Sequence, residues 1–336
     1  DNMEEIILNI FLVKLTHMTN RIERKKISRR LKGKRLDQSL AKVFPEFSRN
    51  RLKSWILKGF ILVDGKSWRP RDIVKGGETI DLNVKYESSV IDSPQDLDLD
   101  IAFEDKFFLL VNKPAGLVVH PGAGNPSGTL MNGLLYLYPH LKKLPRAGII
   151  HRLDKDTSGL MLVAKTIESH TALVRQLELR EISRKYEAVC VGVLTGGGKI
   201  TQPIRRHPVH RTKMAVGEKG RPATTYYKVK NRFRAHTHIE VDLETGRTHQ
   251  IRVHFAWRRH PLFGDPLYGQ RLAIPSGMDK YAQSVIRSFK RQALCARALD
   301  FLHPMTNKKM SFQIPLAFDF EELISALKQD VQSMTE

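Results

Sequence analysis

His151-Arg-Leu-Asp-Lys-Asp-Thr-Ser-Gly-Leu160 is the densest polar run in the chain, and it lies between two apolar segments, Gly148-Ile-Ile150 and Leu160-Met-Leu-Val163. Apolar segments of that length read as strands. The string is therefore a loop on a rigid support, presenting Asp154 with Arg152 and Lys155 beside it. A carboxylate flanked by cations is expected to stay ionised near neutral pH. That is the state a nucleophile or an oxocarbenium stabiliser requires. For an aspartate considered alone, an exposed loop balancing its own charges is the better reading.

Strand-like runs recur around this loop at residues 160–164, 185–193, 237–243 and 293–302, while 101–104 and 107–112 flank Asp105-Lys106 like a hairpin. Helical spacing occupies 130–138 and 168–179, and 321–328 follows Asp319 as a candidate cap. Strands joined largely by turns, with helices interspersed, predict an α+β domain over 101–336. Its expected architecture is a mainly antiparallel mixed sheet with flanking helices.

Ahead of it, residues 35–84 read as a smaller compact unit. Leu36, Leu40, Ala41 and Phe44 have helical spacing that Pro45 ends, and Ser48 is an N-cap for a second helix with the apolar face Leu52, Trp55, Ile56. The other face of that helix carries Arg49, Arg51, Lys53 and Lys58, and Gly59 suits the left-handed position after its end. Asp64-Gly65 signals a tight hairpin, and Gly76-Gly77 a turn before the alternating Ile80, Leu82 and Val84. Residues 1–34 read as a basic tail: nine Lys or Arg from Arg21 to Arg35 against one acid, Glu23, should repel one another and stay flexible. Residues 85–100, with three serines, Pro94 and five acids, read as a linker.

The whole chain of 336 residues carries a net charge of +21, which points to a polyanionic partner. Cys190 and Cys295 stand far apart and match no metal spacing, which argues for a reducing, cytoplasmic setting. The longest apolar run, 6–13, is interrupted by Asn9 and is far below the roughly 20 residues that span a bilayer. Glu4 and Glu5 replace the basic start of a secretory signal. A soluble protein with no membrane partner is expected.

Arg35-Leu-Asp37, Ser48-Arg49, Lys53-Trp-Ile56 and Val63-Asp-Gly65 together resemble an S4-type RNA-binding domain. The resemblance implies that Arg35, Ser48, Arg49, Arg51 and Lys53 face RNA. The opening string, 151–160, is similar to the signature of the RluA-type pseudouridine synthases. Asn112-Lys-Pro-Ala-Gly116, Lys185-Tyr-Glu187, Glu244-Thr-Gly-Arg-Thr-His-Gln-Ile-Arg252 and His260-Pro-Leu-Phe-Gly-Asp265 extend that similarity over nearly all of the chain after residue 34.

Pseudouridine formation breaks the bond from C1′ to N1 of uracil, turns the base and joins C1′ to C5. It is redox-neutral, so no cofactor is expected. The resemblance implies that Asp154 is the catalytic carboxylate, either attacking C1′ or taking the C2′ proton. It implies that Tyr186 stacks on the base and assists loss of the C5 proton, and that Arg252 pairs with Asp154. Arg152 resembles the arginine that enters the space left by a flipped nucleotide, a place suited to a planar cation. The implied partner is large-subunit (23S) ribosomal RNA, with a monomer as the default state.

Elsewhere, His120-Pro-Gly-Ala-Gly-Asn125 lacks the Lys of a phosphate loop. The loosely paired His207, His210, His249 and His254 have no carboxylate or cysteine to complete a metal set, so no metal is expected. His249 reads as a residue that bonds backbone or RNA. Residues 203–221 carry Arg205, Arg206, Arg211, Lys213, Lys219 and Arg221, a basic loop or hairpin suited to clamping RNA. A non-catalytic RNA-binding protein would use the same surfaces, but binding alone does not demand Asp154, Tyr186 and Arg252 together. A nucleoside hydrolase would call for a second placed carboxylate.

Overall fold

The computed structural model describes residues 18–333 apart from 46, 48, 88–92, 123, 211 and 270–273. Ser48 and Arg211, both expected at RNA, and residues 1–17 lie outside the described residues.

In the N-terminal unit, strand β1 (Met18–Lys26) is followed by helices α1 (Leu36–Val43) and α2 (Arg49–Leu57), then β2 (Ile61–Val63) and β3 (Thr79–Glu87). The strands form an antiparallel sheet in the order β1-β3-β2. Asp64 and Gly65 adopt φ of 49° and 72° between β2 and Lys66, the mirror-image turn that the right-handed strand twist favours. Leu36 and Leu40 of α1 and Phe44 just beyond it pack with Leu52 and Ile56 of α2 against Ile61, Ile80, Leu82 and Val84.

Two expected boundaries are corrected here. β1 pairs residue for residue with β3 from Met18 opposite Glu87 to Lys26 opposite Thr79. Ile27 and Leu31 beyond it are buried in the same core. Residues 18–34 are thus part of the folded unit rather than a flexible tail. A ladder needs only backbone groups, and β3 supplies acids such as Asp81, whose carboxylate bonds Arg24 Nε. The proposed linker is also shorter at its start, because β3 runs through residue 87. Its far end is docked: Ser93 O accepts from Asn132 Nδ2 at 2.8 Å, Gln95 N donates to Asn132 O at 3.1 Å, and Leu99 is buried in the core of the second unit.

That second unit opens with β4 (Ile101–Glu104), β5 (Phe108–Lys113), α3 (Leu130–Leu137), β6 (Ser158–Ala164), α4 (Ile167–Leu179) and β7 (Ser183–Val191). It continues through β8 (Gly198–Thr201), β9 (Ile204–Arg206), β10 (Met214–Val216), β11 (Thr224–Arg232), β12 (His236–Leu243) and α5 (Gln250–Trp257). The last elements are α6 (Lys280–Ser288), β13 (Leu294–Leu302), β14 (Lys309–Gln313) and α7 (Phe318–Gln332). One large sheet runs β4-β5-β6-β13-β7-β12-β11-β8, with β14 on β13, while β9 and β10 make a separate hairpin. Among the described strands only β6 and β13 pair in parallel, so the sheet is mixed and mainly antiparallel.

Alternation along the central strand β7 assigns the two faces of the sheet. Tyr186, Ala188 and Cys190 point into the core built with α3 and α5, while Val189 faces α6 and α7. The apolar spacing of α7 begins earlier than expected: Ala317 is its N-cap, and Asp319 lies in the first turn bonded to Arg291. Asp319 is therefore not the cap. Among the described residues no helix is long and apolar enough to cross a membrane.

Candidate active site

The loop ahead of β6 owes its shape to buried anchors on both sides of Asp154. Leu153 is buried in the core under it. Lys113, at the end of β5, is wholly buried, and its Nζ donates to the carbonyls of Pro114, Leu117 and Lys155 at 2.7, 2.9 and 2.8 Å. Burial, the largest influence, pushes that ammonium down to about 7. Arg291 donates to the Asp156 carbonyl, and Gln292 Nε2 to Thr157 Oγ1 at 3.1 Å. On the N-terminal side, His151 Nε2 accepts the backbone N–H of Leu162 at 3.1 Å. Burial and the nearby Arg184 push its imidazole down to about 3, so it serves as a neutral acceptor.

Gly159 closes the loop where no other residue fits. Its φ is 118°, and a Cβ there would lie 2.3 Å from the Ala296 carbonyl oxygen on β13.

Arg252 comes from α5, which is 98 positions away in sequence from Asp154. Its start is built by the turn 244–250: Gln250 Oε1 accepts from Thr245 Oγ1 at 2.7 Å and from Arg247 N at 3.0 Å. The Arg252 side chain, 4% exposed, donates through Nη1 to Asp154 Oδ2 at 2.9 Å. It also forks onto Asp265, Nε to Oδ2 at 2.7 Å and Nη2 to Oδ1 at 2.9 Å. Asp265 is itself fixed, because Oδ1 accepts the backbone N–H groups of Leu267 and Tyr268. Burial alone would raise the Asp265 carboxyl, yet the Arg252 hydrogen bonds outweigh it and the group lies below the ordinary carboxylate range. Burial alone would lower the guanidinium, but the two carboxylates raise it further.

The structure thus brings Asp154 and Arg252 together. Tyr186 lies on the sheet face beneath, 6% exposed, and burial raises its phenol above the ordinary value. The Asp154 charge contributes to that rise, which places the two groups within electrostatic reach of each other. Arg152 is exposed at the loop surface. Its charge and that of Arg146 reinforce the effect of burial on His120, whose ring is pushed down to about 4. Arg205 and Arg206 are exposed on β9, whose partner strand is β10.

The S4-like face departs from expectation in part. Arg35 and Arg49 do not simply project into solvent: both bond the buried Asp37 carboxylate, Arg35 Nε at 3.1 Å and Arg49 Nη2 at 2.6 Å. They remain nearly half exposed, so each presents one edge outward while fixing the start of α1 to α2. Arg51 lies over the Trp55 ring at 6.0 Å, and Lys53 is exposed.

Sequence reasoning assigned no role to Asp265, Tyr268 or Lys113. The available signal for Asp265 was its place at the end of His260-Pro-Leu-Phe-Gly-Asp265, one of the segments that carry the family resemblance. His249, read as a backbone or RNA ligand, instead bonds Tyr268 Oη through Nδ1 at 2.8 Å. Among the described residues no cluster of His, Cys, Asp and Glu is arranged to hold a metal ion.

This arrangement has parts that can serve in cleaving and remaking a glycosidic bond: a carboxylate on a pinned loop and a buried cation bonded to one of its oxygens. Residues 107–257 match the family model for RNA pseudouridylate synthase, and 34–80 match the S4 domain. The chain is 52% identical over 298 residues to ribosomal large subunit pseudouridine synthase D of Xanthomonas campestris, covering 89% of this chain and 90% of that protein. It is 50% identical over 301 residues to the protein of that name from Escherichia coli K12, with 89% and 92% covered. The Pseudomonas aeruginosa relative is 53% identical over 300 residues, with 89% and 94% covered. Human RNA pseudouridylate synthase domain containing 1 shares the fold at a TM-score of 0.53 and 23% identity, covering 74% of this chain and 97% of the human one.

Proposed function

The chain belongs to the RNA pseudouridylate synthase family, and from that membership we propose that it converts specific uridines of large-subunit (23S) ribosomal RNA to pseudouridine. The observation that carries the site assignment is the 2.9 Å bond between Asp154, on the loop ahead of β6, and the buried Arg252 of α5. A guanidinium in that position orients the carboxylate through a charge-assisted hydrogen bond. Asp154 is the group that acts at the ribose, at C1′ as a nucleophile or at C2′ as a base. Either step releases uracil from C1′ and allows it to turn and rejoin through C5.

Tyr186 is the floor on which the base stacks. Its buried, protonated phenol supports stacking and hydrogen bonding more than direct proton abstraction. A uridine within a stem or stacked loop must leave the stack to reach Asp154, and the exposed Arg152 fills the space it vacates. Arg205 and Arg206 on the β9–β10 hairpin, with Arg51, Lys53 and the outward edges of Arg35 and Arg49, hold phosphates. The protein acts as a monomer in the cytoplasm, a setting that the two buried, unpaired cysteines support.

The test is to map pseudouridines in ribosomal RNA from cells that lack the gene and carry either the wild-type chain or its Asp154→Asn variant. Asparagine preserves shape, and Arg252 keeps its fork onto Asp265, so the variant should fold and bind RNA while leaving the target uridines unmodified. Full modification with the variant would show that Asp154 is not the catalytic group.

A further inference from the structure

Arg252 engages only one oxygen of Asp154, and a second side chain faces the other. His249 Nε2 lies 3.8 Å from Asp154 Oδ1. We propose that His249 is a positioning residue for Asp154, presenting an Nε2–H to Oδ1, and that Tyr268 fixes the histidine tautomer and ring orientation that make this possible. The inference rests on the assignment of Asp154 above and adds two residues that act through it.

The hydrogen-bond chain sets the direction of each proton. Tyr268 Oη accepts the backbone N–H of Met214 at 2.7 Å, leaving its own proton free to go to His249 Nδ1 at 2.8 Å. A neutral imidazole that accepts at Nδ1 must carry its proton on Nε2, the atom facing Asp154. Burial, the largest influence, lowers His249 below the ordinary imidazole value, which agrees with a neutral ring. The tyrosine is held in turn, because its backbone N–H donates to Asp265 Oδ1 at 3.0 Å and its ring lies 5.2 Å from the Arg252 guanidinium.

His249 also occupies a conformation that side-chain-bearing residues avoid. Its φ of 55° lies in the left-handed region at the N-cap of α5, and its side chain makes no capping bond there. Helix capping therefore does not account for the residue. The separation of 3.8 Å is longer than a hydrogen bond, as catalytic contacts commonly are before substrate closes the site. Met214 belongs to β10, paired with the strand that bears Arg205 and Arg206. The hairpin assigned to RNA is thus one hydrogen bond from the tyrosine.

Two substitutions separate positioning from scaffolding. His249→Gln places an amide nitrogen where Nε2 lies and gives up the Tyr268 bond. His249→Asn places its amide where Nδ1 lies, keeps the Tyr268 bond, and suits the left-handed backbone better than any residue but glycine. Single-turnover pseudouridine formation and RNA affinity would be measured for both on a large-subunit RNA fragment, beside wild type and Asp154→Asn. We expect the asparagine variant to lose about tenfold or more in rate, the scale of a missing hydrogen bond to a charged group. The glutamine variant should lose less than about threefold, and both should bind RNA as wild type does. An asparagine variant as fast as or faster than the glutamine variant would overturn the inference while leaving the assignment of Asp154 intact. Wild-type rates from Asp154→Asn would overturn that assignment and this inference with it.

Discussion

Asp265→Asn is the perturbation whose consequence follows most directly from the geometry. The Asp265 side chain is wholly buried and accepts four hydrogen bonds, two from Arg252 and two from the backbone at Leu267 and Tyr268. Asparagine can keep its oxygen toward Arg252 Nη2 and the two backbone donors, but its NH2 then meets Arg252 Nε–H, donor against donor. The guanidinium, 4% exposed, loses the acceptor of its Nε–H and keeps only Asp154 to balance its charge. Removing one partner of a buried ion pair costs about 3–5 kcal/mol. Three of the four bonds survive and Asp154 remains, so the lower end, about 3 kcal/mol, applies here. At about 2–4 °C per kcal/mol for a domain of this size, the melting temperature should fall by roughly 6–12 °C.

Chemistry should suffer as well. With one of its two anchors weakened, Arg252 no longer fixes Asp154 as tightly, and small misplacements at a reacting centre can cost about 100-fold in rate. Calorimetry of the variant, with single-turnover release of tritium from C5 of a labelled target uridine, measures both effects. A double-mutant cycle with Arg252→Met isolates the coupling: the double variant should be more stable than the sum of the single losses predicts by at least about 1 kcal/mol. An unchanged melting temperature, or strict additivity in the cycle, would refute the idea that Asp265 anchors Arg252.

Three further outcomes are expected. Burial alone would raise Glu187, but hydrogen bonds from His238 and Lys230 hold it at about 2. Its contribution, on the order of 3 kcal/mol, is full above the ordinary carboxylate range and lost as pH falls toward 2. The melting-temperature gap between wild type and Glu187→Gln should accordingly narrow between about pH 5 and pH 2, and a constant gap would sink the argument. Arg205→Gln with Arg206→Gln should lower the slope of log affinity against log salt by about 0.7–0.9 per cation while the rate at saturating RNA stays near wild type. Gly159→Ala drives a Cβ to 2.3 Å from the Ala296 carbonyl at a φ of 118°, so we expect loss of the β6–β13 pairing and of soluble protein, checked by yield and circular dichroism.

What could be read from the sequence divides along the range of the interactions. Helical spacing located α3 and α4 to within a residue or two, because an apolar stripe is a local property of the chain. The Asp64-Gly65 turn was readable for the same reason, since the left-handed conformation depends on the two residues that adopt it. β1 was missed because its block of Lys and Arg argues for repulsion, whereas a strand is held by backbone pairing with a partner more than fifty residues away. The site shows this division most sharply. The string around Asp154 announced a carboxylate and offered Arg152 and Lys155 as its cations, both of which are exposed. Its buried partner is Arg252 of α5, which the family resemblance named and no local pattern could, and that cation is shared with Asp265. Two carboxylates thus meet a single buried guanidinium within a chain of net charge +21. The overall excess can draw in RNA over a Debye length of about 10 Å, but it does not orient a carboxylate. That task falls to one buried side chain with fixed hydrogen bonds. Substitutions on the basic surface should therefore change how tightly RNA is held, and substitutions around Arg252 how fast it reacts.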